Sequence, residues 1–155
     1  RVVTAGLSAG AQIASLLALS DENEETPVVG FLHFFGPSDF IQMSRYTKDP
    51  EAPLNRSSSN VFLLFGGPLL ENLPRAAEAS PVTYLDESDP PSLIFVGDHD
   101  SLMNQRQCRR LYEASQEKGL ESQLHIIPGA GHGGPEFSDA TRKNLILTFL
   151  QSLQQ

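Results

Sequence analysis

Arg1-Val2-Val3-Thr4-Ala5 reads as a β-strand, Gly6-Leu7-Ser8-Ala9-Gly10 follows without a spacer, and Ala11 to Leu19 reads as a largely apolar helix. No other feature constrains the chain as strongly. A strand that passes into a helix through so short a turn holds the central residue in a strained backbone conformation. The positions two before and two after it are expected to be glycine because a side chain there would collide. Such a turn lifts the Ser8 hydroxyl clear of the sheet, at the positive end of a helix. A small-residue turn with an incidental serine has the same spacing; the flanking strand and helix favour a nucleophile.

The rest of the chain alternates in a way that extends this beginning. Ser20 to Pro27 is a polar, acidic loop, and Val28 to Phe35 is an apolar run rich in β-formers, stopped by Gly36-Pro37. Such runs mark strands buried on both faces. Residues 36–59, with Pro37, Pro50, Pro53 and Ser57-Ser58-Ser59, read as an irregular excursion of the kind that shapes a binding site. Asn60 to Phe65 is expected as a short helix in preference to a strand, Glu71 to Ala79 as another helix, and Ser80 to Pro91 as a loop. Ser92 to Val96 is a second buried-type strand. Asn104 to Lys118 is an amphipathic helix with Leu111, Tyr112 and Ala114 turned inward, ended by Gly119. Ser122 to Ile127 is a strand. Ser138 to Leu153 is a last helix with Leu145, Ile146, Phe149, Leu150 and Leu153 at helical spacing, for which Ser138 is a plausible N-cap and Asp139 also favours the start. The order predicts an α/β fold, with a mostly parallel sheet flanked by helices. In such sheets ligands meet the carboxyl ends of strands, where Ser8, Asp100 and His132 all fall.

Composition narrows the function classes. With 39% apolar and 19% charged residues in 155, the chain suits one globular domain. A net charge of −8 argues against nucleic acid as a partner, which needs clustered Lys and Arg. No apolar run reaches the roughly 18 residues of a membrane span. Neither a Cys/His ligand cluster nor a phosphate-binding glycine loop appears, so no metal and no organic cofactor are expected. Cys108 is the single cysteine, is predicted on a helix, and reads as a packing residue. The first residue already belongs to a strand expected to be central, so the chain is expected to be the C-terminal portion of a longer protein.

A serine hydroxyl near neutral pH needs a base within hydrogen-bond reach, and the base needs a partner that fixes its tautomer. Histidine suits the first role. His33 and His125 lie inside strands and read as packed side chains, and His99 reads as an exposed loop residue. His132, in Pro128-Gly129-Ala130-Gly131-His132-Gly133-Gly134-Pro135, sits where a nearly side-chain-free loop can carry an imidazole over a neighbouring strand. Two acids follow the strand Leu93 to Val96. Asp100 lies where the loop can curl back toward the histidine. Asp98 suits bracing the turn by accepting backbone N–H bonds.

These residues resemble the α/β-hydrolase superfamily, and within it the esterase/lipase branch of bifunctional acetyl-xylan and feruloyl esterase-like proteins. The resemblance is carried by Gly6 to Gly10, Phe34-Phe35-Gly36-Pro37-Ser38-Asp39, Gly66-Gly67-Pro68, Ala79 to Tyr84, Asp89 to Ile94, Gly97-Asp98-His99-Asp100 and Pro128 to Gly133, in the family's order. It implies a nucleophile at Ser8, an acid at Asp100 and a base at His132, hence hydrolysis of a small-molecule or carbohydrate-linked ester through an acyl-enzyme. Leu7 departs from the His or polar residue usual there, Ala11 from a frequent glycine, and Met103-Asn104 from Val-Pro. The family fold has about eight strands, of which residues 1–155 supply the last four. The half with the His-Gly-Gly-type oxyanion loop is therefore expected to be absent, leaving the Ala9 N–H as oxyanion donor. The fragment alone is expected to be impaired, with an open apolar edge at its first strand. Prolyl-oligopeptidase-type peptidases share this C-terminal half, and a non-catalytic hydrolase-like binding protein is the alternative of another class.

Overall fold

The structure is a computed structural model that describes residues 1–20, 27–46 and 53–154. Four strands among the described residues form one parallel sheet in chain order: β1 (Val2–Leu7), β2 (Val28–Phe34), β3 (Ser92–Gly97) and β4 (Ser122–Ile127). β1 runs two residues past the expected end, so Gly6 and Leu7 belong to the strand. The ladder aligns Leu7 with Phe34 and Phe34 with Phe95, which brings the carboxyl ends of three strands level.

Helix α1 (Ala9–Leu19) follows β1, and α5 (Arg106–Glu117) connects β3 to β4. With strands added in one direction, right-handed crossovers place their helices on a single face. The last helix, α6 (Ala140–Ser152), is not a crossover and folds over the other face. Residues of opposite parity on β2 show this division. His33 reaches Ser15 of α1 at 2.9 Å, whereas a Cβ on Gly30 would lie 2.6 Å from the Leu153 side chain at the end of α6. Between the layers, Phe31, Leu93, Ile94, Phe95, Val96, Cys108 and Leu111 are buried. Phe149 is buried and Leu145, Ile146, Leu150 and Leu153 pack against this core, as the spacing predicts. The N-cap of α6 is Asp139, which accepts from Arg142 N at 2.9 Å; Ser138 instead donates to Pro135 O, which corrects the expectation for Ser138. Gly119, at φ 74°, ends the Arg106–Glu117 helix as expected.

The described part of the excursion after β2, which leaves out residues 47–52, carries more regular structure than its sequence suggests. Helix α2 (Phe40–Arg45) forms behind an N-cap at Asp39, whose carboxylate accepts Gln42 N at 2.7 Å. α3 (Asn60–Phe65) is the expected short helix, and α4 (Leu73–Glu78) lies inside the helix expected over 71–79. Pro81–Thr83, expected as loop, is a turn of 3₁₀ helix. Pro50 and residues 21–26 lie outside the described residues. Phe40, Met43, Phe65, Leu69, Ala76 and Met103 form a second, smaller core. This cap is tied to α5 by one wholly buried side chain. Gln107 Oε1 accepts from Ser38 N (3.0 Å) and Asp39 N (2.9 Å), and its Nε2 donates to Tyr46 Oη (2.8 Å) and Asp39 O (3.1 Å). β1 is an edge strand of this sheet, and Val2 and Leu7 on it and Ile13 and Leu17 on α1 are exposed.

Candidate active site

Ser8 stands one residue past β1, at φ 53° and ψ −123°, a conformation that costs a non-glycine residue roughly 1–3 kcal/mol. Its neighbours fix it there. Ser8 N donates to Phe34 O at 2.9 Å, and Ser8 O accepts Ala11 N at 2.9 Å to start α1. The side chain makes no cap bond to the helix, so the hydroxyl is free to face outward. Gly6 is obligatory by contact, since a Cβ there would run into the Gly10 carbonyl. Gly10 is not: a Cβ there meets nothing within 4 Å, so the expected collision at that position does not occur. A further glycine supports the turn from the side. A Cβ on Gly36 would lie 2.6 Å from both Ser8 O and Ala11 Cβ.

The loops after β3 and β4 are zipped together above the sheet. Asp98 N donates to Ile127 O (3.2 Å), His99 N to Ala130 O (3.0 Å), and Gly129 N to Asp98 Oδ1 (2.7 Å). Asp98 is thus the brace. Gly97 permits the approach, because a Cβ there would strike the Ala130 carbonyl. Beyond it, Gly133 N closes a tight turn onto Gly131 O at 3.1 Å, with His132 at the apex.

The structure brings Ser8, His132 and Asp100 into one hydrogen-bonded chain. His132 Nδ1 is 2.8 Å from Asp100 Oδ2, and His132 Nε2 is 2.8 Å from Ser8 Oγ. A carboxylate only accepts, so Nδ1 carries the proton and Nε2 is left to accept from the serine hydroxyl. The Asp100 side chain is wholly buried, and its other oxygen accepts Leu102 N (2.9 Å) and Met103 N (2.7 Å). The carboxylate therefore has no freedom to turn. Ala9, exposed at the start of α1, presents its backbone beside Ser8.

All four histidines are described, and His132 alone bonds both a hydroxyl and a carboxylate. His99 is 76% exposed and faces Asp98. His125 stacks on Phe95 at 5.3 Å, with its pKa lowered by burial and by Arg142. His33 is wholly buried. Its Nε2–H donates to Gly36 O at 3.0 Å and its Nδ1 accepts from Ser15, and burial pulls its pKa down to about 4. Cys108 is buried against Gly36 and Phe95 carbonyls, its thiol pushed up to about 12 by burial first and the Asp100 charge second, so it stays protonated and packs. Among the described residues no group of three or more His, Cys, Asp or Glu is placed to share a metal ion, and no helix is long and apolar enough to cross a membrane.

Two contributors escaped the sequence reading. Gln107 looks like any polar residue on a helix. Phe35 reads as core packing in preference to part of an acyl or alcohol pocket, but it has a φ of 42° and its ring meets the His132 imidazole edge-on at 4.9 Å. Only its place between Phe34 and Gly36, at a strand end, hints at this.

The BD-FAE family profile matches residues 1–114. The chain belongs to the BD-FAE family. The matched segment of this α/β-hydrolase-type domain holds Ser8 and Asp100, and His132 lies beyond it. Solved structures of similar shape carry esterase names. A truncated carbohydrate esterase from gut microbiota superposes at TM-score 0.79 with 23% identity, covering 97% of this chain and 59% of that one. A bifunctional GH43-CE protein of Bacteroides eggerthii gives 0.76 and 25%, covering 95% and 23%. The propionate-bound esterase 2 of Thermogutta terrifontis gives 0.69 and 21%, covering 98% and 56%. The BD-FAE chain thus spans less than two thirds of each of these proteins. A comparison with curated proteins finds no match.

Proposed function

We propose that the protein hydrolyses carboxylic esters through an acyl-enzyme, with Ser8 as nucleophile, His132 as general base and acid, and Asp100 as its orienting carboxylate. The observation that carries this reading is His132, held at 2.8 Å from Asp100 on one nitrogen and 2.8 Å from Ser8 on the other. Membership of the BD-FAE family and the esterase names of similar structures support the ester class. Ser8 Oγ attacks the acyl carbon as its proton passes to His132 Nε2. The tetrahedral intermediate collapses, the bond to the alcohol oxygen breaks, and the Nε2 proton goes to the leaving alkoxide. Water then attacks the acyl-serine, deprotonated by the same nitrogen, and the acid leaves as Ser8 regains its proton. Asp100 accepts the hydrogen bond from Nδ1–H throughout, without taking the proton, and stabilises the imidazolium. The Ala9 N–H, at the positive end of α1, holds the developing oxyanion.

One oxyanion donor is an incomplete set. In this reading the second comes from a segment outside these residues, laid against the open edge of β1. Loss of one donor costs roughly 3–4 kcal/mol in the transition state, about 10²–10³ in rate. The substrate is a small-molecule or carbohydrate-linked ester. The test is stopped-flow hydrolysis of p-nitrophenyl acetate by the full-length protein. A burst of nitrophenolate equal to the enzyme present, followed by steady turnover, is expected, and the polypeptide 1–155 alone should turn over about 10²–10³ more slowly. A full-length protein inert toward short aryl esters and acetylated sugars alike contradicts the reading.

A further inference from the structure

Ser8 and Phe35 are the non-glycine residues with positive φ among those described, and they are neighbours. Leu7 pairs with Phe34, so Ser8 and Phe35 each stand one step past that pair on adjacent strands. Adjacent strands therefore kink at the same level. The kink at Ser8 has a reason in the site. The kink at Phe35 requires one too, because a bulky side chain in this conformation is strained.

The geometry explains where the ring would otherwise go. Continuing the alternation of Phe31 and His33, the Phe35 side chain would point toward α1. That space is taken by Gly36, which is packed so closely on Ala11 Cβ and Ser8 O that it has no room for a Cβ. The positive φ diverts the ring upward to the carboxyl edge, anchored by Phe35 N donating to Phe95 O at 2.7 Å. There the ring is 3% exposed and packs edge-on against three rings: the His132 imidazole at 65°, Phe137 at 4.6 Å and 70°, and, farther off, Phe34 at 6.4 Å. A Cβ on Gly133, the residue after the imidazole, would just touch Phe35 Cζ at 3.7 Å. The ring thus walls the side of His132 that its glycine-lined loop leaves without side chains.

We propose that Phe35 is a positioning residue for the reaction assigned above. Its strained backbone presents an aromatic wall that confines the His132 ring to the rotamer in which Nδ1 meets Asp100 and Nε2 meets Ser8. The inference rests on that assignment of His132. The Phe35 ring is buried behind His132, so its loss is expected to act on turnover more than on binding.

The test compares full-length wild type with Phe35→Leu, Phe35→Tyr and Phe95→Leu, where Phe95 is a buried ring that stacks on Phe34 and His125 and is not paired with His132. The readouts are kcat and KM on p-nitrophenyl acetate and the downfield proton resonance of the His132–Asp100 hydrogen bond. Phe35→Leu is expected to lower kcat at least tenfold with KM within twofold, and to broaden or lose the resonance. Phe35→Tyr, which keeps the ring edge, should keep both within twofold of wild type, and Phe95→Leu should keep the resonance whatever its effect on stability. Should Phe35→Leu fail to fold, Phe35→Met supplies the same volume without the ring and carries the same expectation. A folded Leu or Met variant with unchanged kcat and resonance overturns the positioning role while leaving the ester-hydrolase reading intact. An inert wild type overturns both.

Discussion

At the carboxyl edge of the sheet, side chains from three separate loops meet at 2.8 Å, and Asp100 is wholly buried with both oxygens engaged. In the cap, helices of six residues rest on a small core of their own and leave Leu63 and Leu64 65% and 49% exposed. The two regions solve the same problem, ordering irregular chain over a sheet, by different means. The edge is fixed from below: strands in register and glycines at Gly6, Gly36 and Gly97 let backbones approach until few arrangements remain. The cap is fixed from the side, through Gln107 and the Asp39–Arg110 pair at 3.2 Å. Helices this short have little stability of their own. The hydrogen-bonded chain of Ser8, His132 and Asp100 has the first kind of support, and the cap has the second.

Substitutions that break each support separately sharpen the contrast. The largest effect belongs to the edge. Asp100→Asn keeps the shape of the carboxylate but cannot accept at both of its positions, which frees the His132 tautomer. Ester turnover by the full-length protein is expected to fall by about 10³–10⁴ in kcat with little change in KM, measured by steady-state kinetics. A loss under tenfold separates Asp100 from the chemistry. The cap is next. Gln107→Leu leaves the Ser38 and Asp39 N–H groups buried without an acceptor, and should cost about 2–4 kcal/mol in denaturant unfolding. Hydrogen exchange should rise first across α2 to α4, while Phe34, Phe95 and their strands stay protected. Uniform loss of protection would merge the two regions into one.

The smallest effect is a pH dependence beneath the edge. His33 is held neutral at a pKa of about 4, below its ordinary value of 6.5. Between those values the unfolded chain binds a proton that the native protein refuses, so stability falls as pH drops from about 6.5 to 4 and levels off below. The loss attributable to His33 is at most about 3 kcal/mol. Unfolding midpoints measured across this range should slope less in His33→Gln than in wild type; parallel slopes would exclude His33 as the cause.

The same contrast explains what could be read in advance. The strands and α1 show as apolar runs, and the turn at Ser8, the glycine-flanked His132 and the Asp100 loop after β3 follow from them. The esterase resemblance could be read for the same reason, and the family match agrees with it. Helix α2 was hidden, because six residues behind Pro37-Ser38-Asp39 are too few to display a period, although Asp39 in retrospect is an N-cap. Gln107 acts through partners nearly seventy positions away, which no local pattern announces. Phe35 looks like core because core composition and an aromatic wall use the same residue. Gly10 shows the opposite failure, where a motif position was given a steric reason that the local space does not supply.

The proposed chemistry depends on activation of the Ser8 hydroxyl by His132. It is tested most directly by exposing the native full-length protein to a fluorophosphonate probe and locating the adduct by peptide mass spectrometry. One stoichiometric adduct on Ser8 is expected, absent from Ser8→Ala and formed at least a hundredfold more slowly in His132→Ala. A folded protein that takes up no label at Ser8, or labels there at the same rate without His132, would contradict it.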